Sequence, residues 1–205
     1  MPAFEIGLLS PQIVWRHFQT LCNIPRPSKH EQMLRDYLQQ WAIQRGLETQ
    51  VDDIGNLVIR KPASEGMENA IPVILQGHLD MVTQANRDTV HDFLHDPIQP
   101  VIQEGWLIAK HTTLGADNGI GVALALAVLE SSDLIHGPIE VLLTVDEEAG
   151  MSGARFLSTN ILNGQWLINI DTEQWGELYL GCAGSQDVEV NQTAQLIEAP
   201  LKDRK

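Results

Sequence analysis

A chain of 205 residues with 43% apolar content and a formal net charge of −14 is long enough to bury a real core and is not disordered in composition. Its acidic balance argues against nucleic acid or anionic membrane as a partner, because both need a basic face. Cys22 and Cys182 make neither a metal-type spacing nor a disulfide framework. The first ten residues carry no basic leader or apolar signal core. The longest apolar run, 120–129, falls far short of the roughly 20 residues of a membrane span, so a soluble cytoplasmic protein is expected.

In chain order, Ser10-Pro11 reads as the cap and first turn of a helix with Ile13, Val14, Phe18 and Leu21 on one face. Pro25 and Pro27 must stop it. Ser28-Lys29-His30-Glu31 fits the capping-box pattern, and Met33, Leu34, Tyr37, Leu38 and Trp41 then recur at helical spacing as far as Gly46. Residues 51–60 predict a strand, a turn and a second strand. Residues 71–76 (IPVILQ) are a nearly continuous apolar run, as for a strand covered on both faces, and end in Gly77-His78-Leu79-Asp80. Segments 101–103 and 106–109 predict a hairpin around Glu104-Gly105.

Residues 112–130 (TTLGADNGIGVALALAVLE) begin as a polar turn that places Asp117 between Gly115 and Gly119. The helix that follows is so rich in Gly and Ala that it must lie close against a sheet. After a turn at Gly137-Pro138, 139–145 (IEVLLTV) predicts a second buried strand, ending in Asp146-Glu147-Glu148. A short helix is expected over 154–158. A third strand is expected at 166–170 (WLINI), ending in Asp171, and a fourth at 177–180. Strands alternating with helices predict an α/β fold class, a mixed and largely parallel sheet flanked by helices.

Three apolar strands thus end in His or acids: His78 and Asp80, Glu147 and Glu148, and Asp171; the small-residue helix adds Asp117. Each has an ordinary explanation. His78 is also what a satisfied core histidine looks like, Glu147-Glu148 a solvated turn, and Asp117 a helix N-cap. Ligand sites of open α/β sheets lie beyond the carboxyl ends of the strands, so such residues converge there. Carboxylates and imidazole suit two Zn²⁺ ions bridged by one carboxylate. Asp80, two residues past His78, is placed to take the other ring N–H. Glu147 and Glu148, if extended, point different ways, so that one can ligate while the other acts as a base.

These residues carry a resemblance. Gln76-Gly-His78-Leu-Asp80-Met, Thr113-Leu-Gly-Ala-Asp117-Asn-Gly-Ile-Gly, Glu147-Glu148-Ala-Gly-Met and Ile170-Asp171-Thr-Glu look like the aminoacylhistidine dipeptidases. These are also called cytosol non-specific dipeptidases or peptidase D, within a di-zinc superfamily that includes carboxypeptidase G. The resemblance runs from about residue 8 to 184. It implies that His78 and Asp171 bind one zinc, Glu148 the other, and that Asp117 bridges them. It further implies that Asp80 orients His78, that Glu147 is the general base, and that the Asp117–Asn118 bond is cis. Manganese or cobalt are the alternative metals.

The implied reaction is hydrolysis of dipeptides with a free N-terminus, Xaa-His among them, in a protein that forms a homodimer at full length. By resemblance, 1–186 is the N-terminal part of the catalytic domain and 187–205 a divergent tail. The lid domain, the later catalytic segment and its last His ligand are then absent. His91 and His95 are read as loop residues, and His17, His30, His111 and His136 as ordinary helix or loop positions. The competing readings are an inactive truncated metal-binding domain, or an aminoacylase or carboxypeptidase of the same superfamily. A sugar- or nucleotide-binding domain is disfavoured, because no glycine-rich phosphate loop follows a strand.

Overall fold

In the computed structural model, which describes residues 6–172 together with 174, 176–182, 184 and 188–193, the apolar runs lie side by side in one sheet. Strands β1 (Glu48–Val51), β2 (Leu57–Lys61) and β3 (Val73–His78) come first. The hairpin β4 (Pro100–Gln103) and β5 (Trp106–Ala109) stands apart as a second sheet, and β6 (Ile139–Thr144) and β7 (Trp166–Asn169) return to the first. The five-stranded sheet has the order β1-β2-β6-β3-β7. Strand β3 runs parallel to both β6 and β7, whereas β2 is antiparallel to β1 and β6. The carboxyl ends of β3, β6 and β7 therefore share one edge, which is what brings their terminal residues together.

Helices α1 (Gln12–Asn23), α2 (Gln32–Ile43) and α3 (Ala116–Glu130) cover one face of the sheet. Phe18, Leu21, Leu34, Leu38 and Leu126 pack there against Leu57, Ile59, Val141 and Leu143. Alternate residues of β2 and β6, Val58 and Leu142, point to the other face with Ile74 of β3 and pack on Ile161, beyond the short helices α4 (Glu147–Gly150) and α5 (Ser152–Arg155). Helix α3 is buried almost all round, and Leu124 is its exposed large apolar residue. Small side chains let it approach closely: a Cβ on Gly121 would fall 2.4 Å from the Ile170 carbonyl oxygen. The chain divides after Glu173, and the described residues from Gln174 onward contain neither helix nor strand.

Several local expectations are corrected. Helix α1 starts at Gln12 with Pro11 in the cap position, and no side chain caps it. Helix α2 starts at Gln32 after Glu31, and again no side-chain cap forms, so Ser28 does not close a capping box. Met33 and Tyr37 of α2 are exposed rather than on its buried face. The short helix expected over 154–158 lies earlier, at Ser152–Arg155. Glu147 and Glu148 sit in the single turn α4, not in extended backbone. Strand β7 forms, but every residue of it is exposed, and 177–180 form no strand.

Candidate metal centre

His78 is the last residue of β3 and is buried. Its Nδ1 faces acceptors, the Asp80 carbonyl at 3.1 Å and Asp80 Oδ1 at 3.2 Å. The proton therefore belongs on Nδ1, which turns Nε2 toward the open side of the sheet edge. There it meets Asp117 Oδ1 at 3.0 Å, Asp171 Oδ2 at 3.6 Å and Glu147 Oε2 at 4.0 Å. Asp117 follows Gly115, which holds the left-handed cap position of α3, so the acid itself is not the cap. Asp117 and Asn118 depart from helical geometry, and the peptide bond between them is cis. Regular helix starts behind them, and the Asp117 side chain is left half exposed, aimed at His78.

Asp80 is fully buried and holds the site from beneath. Its Oδ1 accepts the Glu147 backbone N–H (3.0 Å), and its Oδ2 accepts the Glu148 N–H (3.1 Å) and the Ser28 hydroxyl (2.7 Å). Burial alone would raise the Asp80 carboxyl, but the hydrogen bonds from His78, Ser28, Glu147 and Glu148 outweigh it and bring it down to about 2. Sequence reasoning missed Ser28 in this role, because Ser-x-x-Glu reads locally as a capping box. Glu31, the other half of that pattern, accepts the backbone N–H of Asp146 at 2.8 Å instead. Asn118 was also missed. Its Nδ2 donates to the Ile170 carbonyl (2.8 Å) and to Asp171 Oδ1 (2.9 Å), while its Oδ1 accepts the His78 backbone N–H (3.3 Å). The one sequence signal for it is its position directly after Asp117.

The electrostatics describe a site with too much negative charge. Burial lowers the His78 imidazole, yet the bond and charge of Asp80, then the charge of Asp171 and the bond from Asp117, lift it to about 9. Asp171 is pushed up to about 6 by burial and by the negative charges of Asp117 and Glu147, against the pull of His78. Glu148 is raised by burial and by Asp117. One donor atom each from His78, Asp117 and Glu148 lies within 4.8 Å of the others. Imidazole and carboxylates at this separation are the donor set of a divalent cation, which would relieve the repulsion. Among the described residues, the other histidines are elsewhere: His17 pairs with Glu130, His95 with Asp92, and His136 with its neighbour's carbonyl.

With the geometry in view, comparisons with known proteins bear on it. The profile described as Peptidase family M20/M25/M40 matches residues 74–191. The cytosol non-specific dipeptidase of Escherichia coli (strain K12) is 56% identical over 187 residues, which cover 91% of this chain and 39% of that protein. The crystal structure of an aminoacylhistidine dipeptidase from Vibrio alginolyticus superposes with a TM-score of 0.85 at 56% identity, over 87% of this chain and 36% of that one. That of the aminopeptidase PepT from Bacillus cereus ATCC 10987 superposes with a TM-score of 0.66 at 25% identity, over 82% and 45%. The chain thus spans less than half the length of these relatives.

Proposed function

Because this chain belongs to Peptidase family M20/M25/M40, we propose that it supplies the N-terminal part, residues 1–186, of the catalytic domain of a metal-dependent dipeptidase, with 187–205 as a divergent tail. The substrates are dipeptides with a free N-terminus, Xaa-His among them, and the compartment is the cytoplasm. The names of the Escherichia coli and Vibrio relatives support the substrate class. No helix among the described residues is long and apolar enough to cross a membrane. The observation that carries the reading is the convergence of His78, Asp117 and Glu148, on three different elements, within 4.8 Å.

In this reading His78 and Asp171 would hold one zinc ion and Glu148 a second, with Asp117 a ligand shared between them. When bound, the metal supplies a Lewis acid that polarises the scissile carbonyl and lowers the pKa of water. The chain's own residues do the rest. Asp80 keeps the proton on His78 Nδ1 and so leaves the Nε2 lone pair available to a metal. Asn118 fixes the Asp171 carboxylate through Oδ1, and Oδ2 faces His78 Nε2 at 3.6 Å. Glu147, held by Asp80 through its backbone and a third exposed at its side chain, takes the proton of the attacking water and passes it to the leaving amine.

A second reading, a metal-binding domain without turnover, is favoured by one observation: among the described residues His78 is the one histidine at the cluster. Asp117 and Glu148 alone hold a second ion weakly. Zinc analysis after dialysis, with Asp117→Asn beside the parent, and hydrolysis of a Xaa-His dipeptide, with Glu147→Gln beside it, separate the readings. The expected result is one retained zinc, lost in Asp117→Asn, and slow zinc-dependent turnover, lost in Glu147→Gln with zinc retained. Zinc without turnover leaves the second reading. Failure to retain zinc removes both.

A further inference from the structure

Arg26 is a buried guanidinium that no carboxylate touches among the described residues. Its bonds all go to backbone carbonyls. Nη1 donates to the oxygens of Leu79 and Asp80, both at 2.9 Å, and Nη2 to that of Gly115 at 2.5 Å. Among the described residues, Nε is buried without a partner. Burying a cation with an unmet donor is costly, so the fold accepts a penalty to keep this group in place. The socket is shaped for it. A Cβ on Gly115 would lie 2.6 Å from Nη2, and one on Gly119 would lie 2.8 Å from it, so glycine at both positions leaves the guanidinium its room.

The carbonyls it joins belong to the two turns that carry the donor atoms. Leu79 and Asp80 follow His78, and the Asp80 carbonyl that Arg26 holds also accepts His78 Nδ1–H. Moving that carbonyl rotates the imidazole. Gly115 caps α3 two residues before Asp117. A planar fork with several fixed donors can hold these carbonyls at once, whereas an ammonium on a flexible stem cannot fix their spacing. The positive charge also lies where the carboxylates of Asp80, Asp117 and Glu148 act on it.

We propose that Arg26 is a positioning residue of the metal centre, whose fork on the carbonyls of Leu79, Asp80 and Gly115 sets the separation between the His78 and Asp117 donors. The inference rests on the metal-binding reading above. It is tested with Arg26→Lys, which keeps the charge and loses the fork, and Arg26→Gln, which loses both. Three measurements apply: urea unfolding without metal, zinc affinity by competition with a chromogenic chelator, and the visible absorption of the Co²⁺-loaded chain. The expected result is that Arg26→Lys folds without metal, binds zinc about 10–100-fold more weakly, as loss of an outer-shell partner does, and alters the Co²⁺ band. Parent-like zinc affinity in both variants overturns the proposal. So does weakening in Arg26→Gln alone, which would leave charge as the whole effect. Unfolding of both variants without metal would make Arg26 a core residue and reject the positioning role. If the parent itself retains no zinc, the metal reading fails first and takes this inference with it.

Discussion

Asp80 shows how much one buried carboxylate can organise. Both of its oxygens face donors: His78 Nδ1 and Glu147 N–H on Oδ1, Ser28 Oγ–H and Glu148 N–H on Oδ2. An asparagine there must turn its amide nitrogen toward one of these pairs, which leaves buried donors opposed. We expect Asp80→Asn to cost about 1–3 kcal/mol of stability in urea unfolding and to weaken zinc binding about 10–100-fold. A variant that keeps its unfolding midpoint and its zinc would show that Asp80 fixes neither the ring nor the Glu147 turn. Ser28→Ala removes a single donor and leaves the Glu148 N–H on the same oxygen. Its expected cost is about 1 kcal/mol, and the same unfolding curve checks it.

At the scale of elements, α3 and β6 make opposite demands. Helix α3 needs small residues because it carries Asp117 and Asn118 up against β3 and the end of β7. Gly121→Ala would push a methyl into the Ile170 carbonyl and the Asn118 amide, and overpacking of this kind costs about 1–3 kcal/mol. Leu124→Ala on the exposed side of the same helix should cost less, so the order of the two denaturation midpoints is the check. Strand β6 carries the buried Glu140, which accepts Arg60 Nε at 2.8 Å and the N–H groups of Asn163 (2.8 Å) and Gly164 (2.7 Å). Burial by itself would raise this carboxyl, but the Arg60, Asn163 and Gly164 bonds lower it. A lowered folded-state value contributes stability that is full above the unfolded value of about 4.3 and is lost as the pH falls through the folded value. The penalty of Glu140→Gln is therefore expected to be largest near neutral pH and to shrink in acid. A penalty independent of pH would contradict the pairing.

For the whole molecule, in the proposed metal reading, stability depends on a cation at the acidic cluster of the sheet edge. A ligand bound by the folded state alone stabilises it, by about 2.7 kcal/mol at a hundredfold excess over its Kd. Zinc is expected to raise the Tm of the parent, and the rise should vanish in Asp117→Asn. A zinc-dependent rise that survives in that variant would place the ion elsewhere. The position of the cluster follows from topology: β3, β6 and β7 run parallel, so their carboxyl ends deliver His78, the Glu147–Glu148 turn and Asp171 to one edge.

What was legible in the chain was whatever physical chemistry writes locally. The apolar runs of β3 and β6 and the small residues of α3 announce burial because hydrophobic and steric patterns need no partner to be read. Acids directly after apolar strands mark a site for the same reason. Ser28 was misread because Ser-x-x-Glu satisfies a local rule, and only the folded chain brings the desolvated Asp80 within 2.7 Å to take the hydroxyl. Arg26 could not be read at all, since its partners are backbone carbonyls, which carry no residue identity. Strand β7 was legible as a strand but not in its exposure, because burial depends on what packs beside a segment rather than on its own residues. The sequence by itself determined the main strands, the three long helices and the fold class, and it named residues that the fold brings to one edge of the sheet. The tertiary structure decided which donors point at one another, because those distances depend on turns held together by contacts far apart in the chain.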